Sequence, residues 1–95
     1  MEYQIQHSED GHRGRFFIQL EGVDVAEMTY VWSGDSRFII DHTEVSDVLR
    51  GTGAGKKLVA AGAAYAREKG VKILPLCPFA KRVMEGDVAY ADMLA

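Results

Sequence analysis

One stretch divides this chain into two kinds of pattern: Arg50-Gly51-Thr52-Gly53-Ala54-Gly55-Lys56-Lys57. Before it, large and polar side chains alternate with the period of two that a half-buried strand requires. After it, apolar residues recur with the period of a helix. A chain that changes period once, at a glycine-rich turn, is restricted to a mixed α/β fold with its strands mostly on one side of the turn.

Four strands are expected in the first half. Tyr3–His7 alternates and runs into Asp10-Gly11, a tight-turn dipeptide. Arg15–Leu20 puts Phe16, Ile18 and Leu20 on one face, and Glu21-Gly22-Val23-Asp24 breaks it. Val25–Ser33 alternates Ala26, Met28, Tyr30 and Trp32 with polar partners, and Ser33-Gly34-Asp35-Ser36 is the next turn. Arg37–Val45 is a fourth strand, with Phe38, Ile40, His42 and Glu44 expected on one face and Ile39, Asp41, Thr43 and Val45 on the other. Connections this short give an antiparallel meander.

The second half is expected to open with a helix from Ala54 to Lys69, striped by Leu58, Gly62, Tyr65 and Ala66 and stopped at Gly70. Its alanines and Gly62 allow it to lie close on a sheet. Val71–Leu76 reads as a fifth strand, and Pro75 confines it to an edge or splays it from its neighbour. Pro78 introduces a short helix around Phe79–Met84, and Val88–Leu94 is read as a last helical turn or two. Strand, helix and strand form a βαβ crossover, so strands four and five run parallel. With 95 residues and no linker, residues 1–95 are read as a single domain.

Charge is segregated. Residues 1–49 carry a net −7, residues 50–82 a net +7 and residues 83–95 a net −3. A one-sided basic block suggests that one region meets an anion. Nucleic acid is not the expected partner, because the aromatic residues lie mostly in residues 3–38, away from the bases that would steer a strand. No apolar run reaches the ~18–20 residues of a membrane span. The start of the chain has no secretory pattern, and the lone Cys77 cannot form an internal disulfide, so the cytoplasm is the expected compartment. His7, His12 and His42 have no metal-ligand spacing, and no metal is expected.

The glycine turn is the anion-binding candidate. The first amides of a helix lack internal partners and carry the positive end of its dipole. Glycines before them let a phosphate or pyrophosphate approach the backbone. A P-loop fails here, since Arg50 stands where it needs glycine and Lys57 where it needs Ser or Thr. The dinucleotide fingerprint fails too, because its third glycine falls on Lys56 or Leu58. The pattern that fits is Arg-x-x-Gly-x-Gly, read as Arg50, Gly53 and Gly55.

In that pattern the chain resembles the acetyl-CoA-dependent GNAT N-acetyltransferases, and more closely a group of very small GNAT-like proteins. His42-Thr43-Glu44-Val45, Leu49 to Leu58 and Cys77-Pro78-Phe79-x-Lys81 carry the resemblance, from about Phe38 onward. It implies a mixed sheet with acetyl-CoA or CoA lodged where strands four and five splay. It implies pyrophosphate on the amides of Gly51, Thr52, Gly53, Ala54, Gly55 and Lys56, with Arg50 beside them. It also implies a pantetheine arm pairing with the backbone of Glu44, Val45 and Ser46. Pro78, Phe79, Lys81 and Arg82 are implied for the rest of the cofactor.

Acetyl transfer to an amine needs a neutral amine, a polarised thioester and a proton for the leaving thiolate. His42 and Glu44, two residues apart, are candidate bases near the implied thioester. Cys77 is a candidate proton donor, acyl carrier or packing residue. Of these, donor or packing residue is preferred, because transfer from a thioester to an amine needs no enzyme-bound intermediate. Only Glu9-Asp10-Gly11-His12 separates the first two strands, leaving no room for the helices that larger relatives place there. The acceptor site is therefore expected to be open or completed by another molecule. The expected function is N-acetyl transfer to an amine of a protein or small molecule; the alternative is a CoA-binding module without turnover.

Overall fold

The structure, a computed structural model, describes residues 3–95. Strands β1 (Gln6–Asp10), β2 (Arg13–Leu20), β3 (Val23–Trp32) and β4 (Arg37–Val45) form an antiparallel meander. Helix α1 (Ala54–Lys69) crosses over to β5 (Lys72–Pro75), which pairs parallel to β4. Helix α2 (Pro78–Glu85) follows. The sheet order is β1-β2-β3-β4-β5, the mixed sheet that the sequence leads one to expect. No helix among the described residues is long and apolar enough to cross a membrane.

β4 and α1 begin and end where their patterns change. β1 is displaced toward the first turn relative to the alternation at Tyr3–His7. Tyr3 and Ile5 do pack against the core, but pairing starts at Gln6, because the turn Gly11-His12 sets the register with β2. β3 begins at Val23, since Glu21-Gly22 alone makes the turn before it. The tail is a short 3-10 turn, Val88–Tyr90, after which Leu94 bridges to Ile73 and covers part of the outer edge of β5.

The core lies between one sheet face and the two helices. Phe16, Ile18, Met28, Tyr30, Phe38, Ile40 and Ile73 meet Leu58, Val59, Ala63 and Ala66 of α1 and Ala80 and Met84 of α2. All are under one-tenth exposed, so the hydrophobic gain is concentrated in one cluster. β1 is exposed along its whole length and is held by polar and aromatic contacts instead. His7 stacks on Phe16 with centroids 4.2 Å apart, and its Nε2 lies 2.5 Å from Tyr30 Oη. Tyr30 donates to Glu9, so His7 must be the donor to Tyr30, which fixes the neutral Nε2–H tautomer. Partial desolvation of the ring where it packs on Phe16 holds the His7 pKa below its usual value, although the Glu9 charge opposes this.

Two glycines of the core separate rigid from yielding neighbours. A Cβ on Gly14 would come within 2.4 Å of the Tyr30 ring, which is buried and hydrogen-bonded at its tip. A Cβ on Gly62 would meet only Met28 Cε closely, at 2.9 Å, the far end of a flexible chain. Gly14→Ala should cost about 1–3 kcal/mol from overpacking. Gly62→Ala should be near neutral, because about 1 kcal/mol of helix propensity offsets the displacement of one methyl. Urea midpoints of the two variants check this; equal losses would contradict it.

Candidate active site

The site begins where β4 and β5 part. Their parallel ladder runs from Arg37 opposite Lys72 to Ile40 opposite Pro75. Pro75, like Ile73, whose amide goes to Met93, turns its backbone groups to the outer side, so its missing amide leaves no donor unmet there, and the next donor to β4 is Leu76. The Ile40 carbonyl receives the amides of both Leu76 and Cys77, and the chain then turns into α2. β4 continues to Val45, and no strand among the described residues pairs with it on that side.

Just past the parting, β4 slips against β3. Tyr30 pairs with Ile40 but Thr29 with His42, leaving Asp41 as the extra residue of a bulge. The Thr29 hydroxyl donates to the Asp41 carboxylate at 2.7 Å. The slip inverts the expected faces. Thr43, opposite the core residue Met28, now shares the helix-covered face with Phe38 and Ile40. His42 and Glu44 lie on the exposed face instead, 3.4 Å apart between Nε2 and Oε2. A uniform alternation through β4 is thus incorrect, and the bulge is the reason.

The backbone follows the same alternation. The Ser46 amide donates to Val25 of β3. Residues 44 and 46 therefore point their backbone groups at β3, and Val45 points its own at the open edge. Of the three residues whose backbone was expected to pair with a ligand, Val45 has its groups free to do so. The Ser46 hydroxyl caps the 3-10 turn Asp47–Leu49, and Glu44 and Ser46 border a separate hollow beside Asp24 and Glu27.

From Val45 the open edge runs into the glycine turn. Gly53 caps α1 with φ 79° and has no side chain to satisfy the first amides. Gly51 has φ 81°, and a Cβ on either glycine would meet nothing within 4 Å. The space above both is thus open to a ligand. Gly55 has another purpose: its Cβ would lie 2.6 Å from the Phe79 ring, so its bareness seats the start of α2 on the start of α1. Val45, Leu49, the turn and Phe79 enclose a cleft of about 360 Å³. Thr52 braces the turn, its hydroxyl donating to the Leu49 carbonyl at 2.7 Å.

The basic block divides in space. Arg67 and Lys72 bind the C-terminal tail, Arg67 through the Ala89 carbonyl and Lys72 through that of Asp92. Lys57 lies over the Tyr3 ring, and Arg50 is paired with Asp47 at 2.5 Å. Among the described residues Lys56, Lys81 and Arg82 are exposed and make no ion pair, so their charge is available to an anion.

Cys77 is buried at the parting, at the N-cap of α2 with Pro78 as its first residue. Its Sγ lies 3.4 Å from Thr43 Oγ1. Burial pushes the thiol pKa up, but the Thr43 hydroxyl and the amides of Ala80, Phe79 and Thr43 outweigh it, and the pKa is below that of an ordinary thiol. The start of α2 thus contributes through its amides, and Thr43 through its hydroxyl and amide. Thr43 escaped the sequence reading because an unbroken alternation turns it away from Cys77. Only knowledge of the bulge reverses that.

Residues 15–93 match the GCN5-related N-acetyl-transferase family, and the chain belongs to it. No curated protein matches the chain. Among solved structures it is similar to a GCN5-like protein from Staphylococcus aureus, at 39% identity and TM-score 0.77 over 97% of this chain and 87% of that one. Ribosomal-protein-alanine N-acetyltransferase from Brucella melitensis shares the fold at 21% identity and TM-score 0.62, over 90% of this chain and 64% of that one. An aminoglycoside acetyltransferase from an uncultured soil sample does so at 23% identity and TM-score 0.59, over 72% and 47%.

The Cys77 environment predicts a specific dependence on Thr43. Thr43→Val removes the hydroxyl and keeps the shape, so the thiol pKa should rise. The ¹³Cβ shift of Cys77 followed against pH reads this directly; an unchanged midpoint would mean that the helix amides alone tune the sulfur.

Proposed function

We propose that this protein binds acetyl-CoA along the cleft from Val45 to the glycine turn and transfers the acetyl group to an amine. The supporting observation is continuity: one open strand edge leads into a helix start whose amides are bare and whose approach is unobstructed. An extended pantetheine arm needs the first, and a pyrophosphate needs the second. Lys56, Lys81 and Arg82 supply exposed positive charge for the remaining phosphate.

Each residue then has a task. The Val45 amide, at the open edge, is the donor available to a thioester carbonyl. Cys77 gives a proton to the departing thiolate, and a thiol more acidic than an ordinary alkyl thiol makes that transfer downhill. The ammonium of the acceptor must lose a proton before attack, and His42, steadied by Glu44 on the open face, receives it directly or through water. The amine nitrogen gains the acetyl carbon as the carbon–sulfur bond breaks. CoA leaves as the free thiol, and the second proton that the nitrogen sheds on becoming an amide passes through solvent to restore Cys77.

The lowered thiol pKa also favours a second reading, in which Cys77 carries the acetyl group itself. Two variants separate the possibilities. Gly53→Val fills the open space above the turn and strains a left-handed residue, and should weaken CoA binding at least about tenfold, or about 1.4 kcal/mol. Equal affinity by calorimetry in a folded Gly53→Val protein would sink the placement. Cys77→Ala should leave CoA affinity nearly unchanged and slow transfer at least about a hundredfold, the lower end expected of a lost general acid. Labelled acetyl retained on Cys77 without acceptor, and passed to an amine, would replace the proton donor by the carrier. CoA binding with no acetyl loss to any amine would leave a binding module.

A further inference from the structure

At the other end of α1, remote from the glycine turn, lies a second cleft of about 350 Å³. It opens between the β1–β2 turn, the β3–β4 turn and the last turns of the helix. Trp32 and Tyr65 form its aromatic walls, with centroids 6.3 Å apart and planes at 70°. Glu9 is the carboxylate between them. Tyr30 Oη, Trp32 Nε1 and Tyr65 Oη all donate to its Oε1, at 2.7, 2.8 and 2.9 Å. One oxygen is saturated by three anchored donors, and Oε2 accepts no hydrogen bond from a described residue.

We infer that this cleft is a binding site for a small organic cation, whose charge meets Glu9 Oε2 and the faces of Trp32 and Tyr65. Two aromatic faces and one fixed carboxylate are the elements that recognise an ammonium group. The carboxylate is oriented in advance, so little ordering remains for the ligand to impose. Asp35 adds a second negative charge on the rim, and His12 also lines the cleft. Among the described residues lining it, Lys69 carries the one formal positive charge, with Nζ 5.7 Å from the Tyr65 centroid. The chain thus already sets a cation against one of these rings, on an exposed and flexible side chain that a bound ligand can displace.

The site is independent of acetyl transfer. Arg37 and Thr43 are six residues apart along β4, about 20 Å at strand rise, so a ligand here is out of reach of Cys77. Binding would therefore stand even if the transferase reading fell.

Trp32 is the only tryptophan of the chain, so its fluorescence reports on this cleft alone. Tetramethylammonium chloride titrated into the full-length protein should change the emission saturably, with half-saturation at about 10 mM or below, the range of a weak cation–π site. Sodium chloride at equal ionic strength should not. Glu9→Gln should weaken binding at least about tenfold, a loss of about 1.4 kcal/mol. Should Glu9→Gln fail to fold by circular dichroism, two exposed positions decide: Asp35→Asn should weaken binding and Lys69→Ala should tighten it. No saturable change, equal binding by folded Glu9→Gln, or weaker binding by Lys69→Ala would overturn the inference.

Discussion

The parting of β4 and β5 at Pro75 is the constraint on which the site depends. The donors that β5 turns toward β4 include Lys72 and Leu76, while Ile73 and Pro75 face the outer edge, where proline's missing amide costs no rung. The Ile40 carbonyl receives the Leu76 amide in register and the Cys77 amide as well, and this doubling swings the chain into α2 and ends the ladder. Three consequences follow from this one event. β4 keeps an open edge at Val45. Cys77 is set at the head of α2, under Thr43. Phe79 is carried onto Gly55, which closes the far wall of the cleft. A strand with an open edge inside a small domain is usually a liability. Here the edge is short, and it runs into the helix start of the glycine turn.

The sequence made the scaffold legible, and the bulge hid part of the chemistry. β4 and α1 could be bounded to the residue, because strict alternation and a glycine stop are local signals. The glycine turn could be placed for the same reason. The bulge at Asp41 could not, since the slip of β4 against β3 reflects pairing between strands and leaves no mark in the alternation of either. Missing it put His42 and Glu44 on the wrong face and concealed Thr43. The second role of Gly55, as a seat for Phe79, was equally invisible, because it depends on how two helices meet. The convergence of Tyr30, Trp32 and Tyr65 on Glu9 joins residues of β1, β3 and α1 that no spacing connects.

Size also shapes what this fold can do. The chain covers most of the Staphylococcus aureus protein but only 64% and 47% of the two larger acetyltransferases. The exposed face that bears His42 and Glu44 carries no helix, so an acceptor would meet those residues from open solvent. Burial in this protein favours the cleft side of the sheet, where Cys77 and Thr43 gain the low-dielectric contact that tunes the thiol.

The claim at the centre of this account is that Val45 offers its amide to the ligand while its neighbours are already engaged. Amide hydrogen exchange with and without CoA tests it at single-residue resolution. In the free protein the Ser46 amide, bonded to Val25, should be protected and the Val45 amide should exchange quickly. Saturating CoA should slow exchange at Val45 and at Gly53, Ala54 and Gly55, with little change at Ser46. Protection of Ser46 in place of Val45, or none along the glycine turn, would contradict the account.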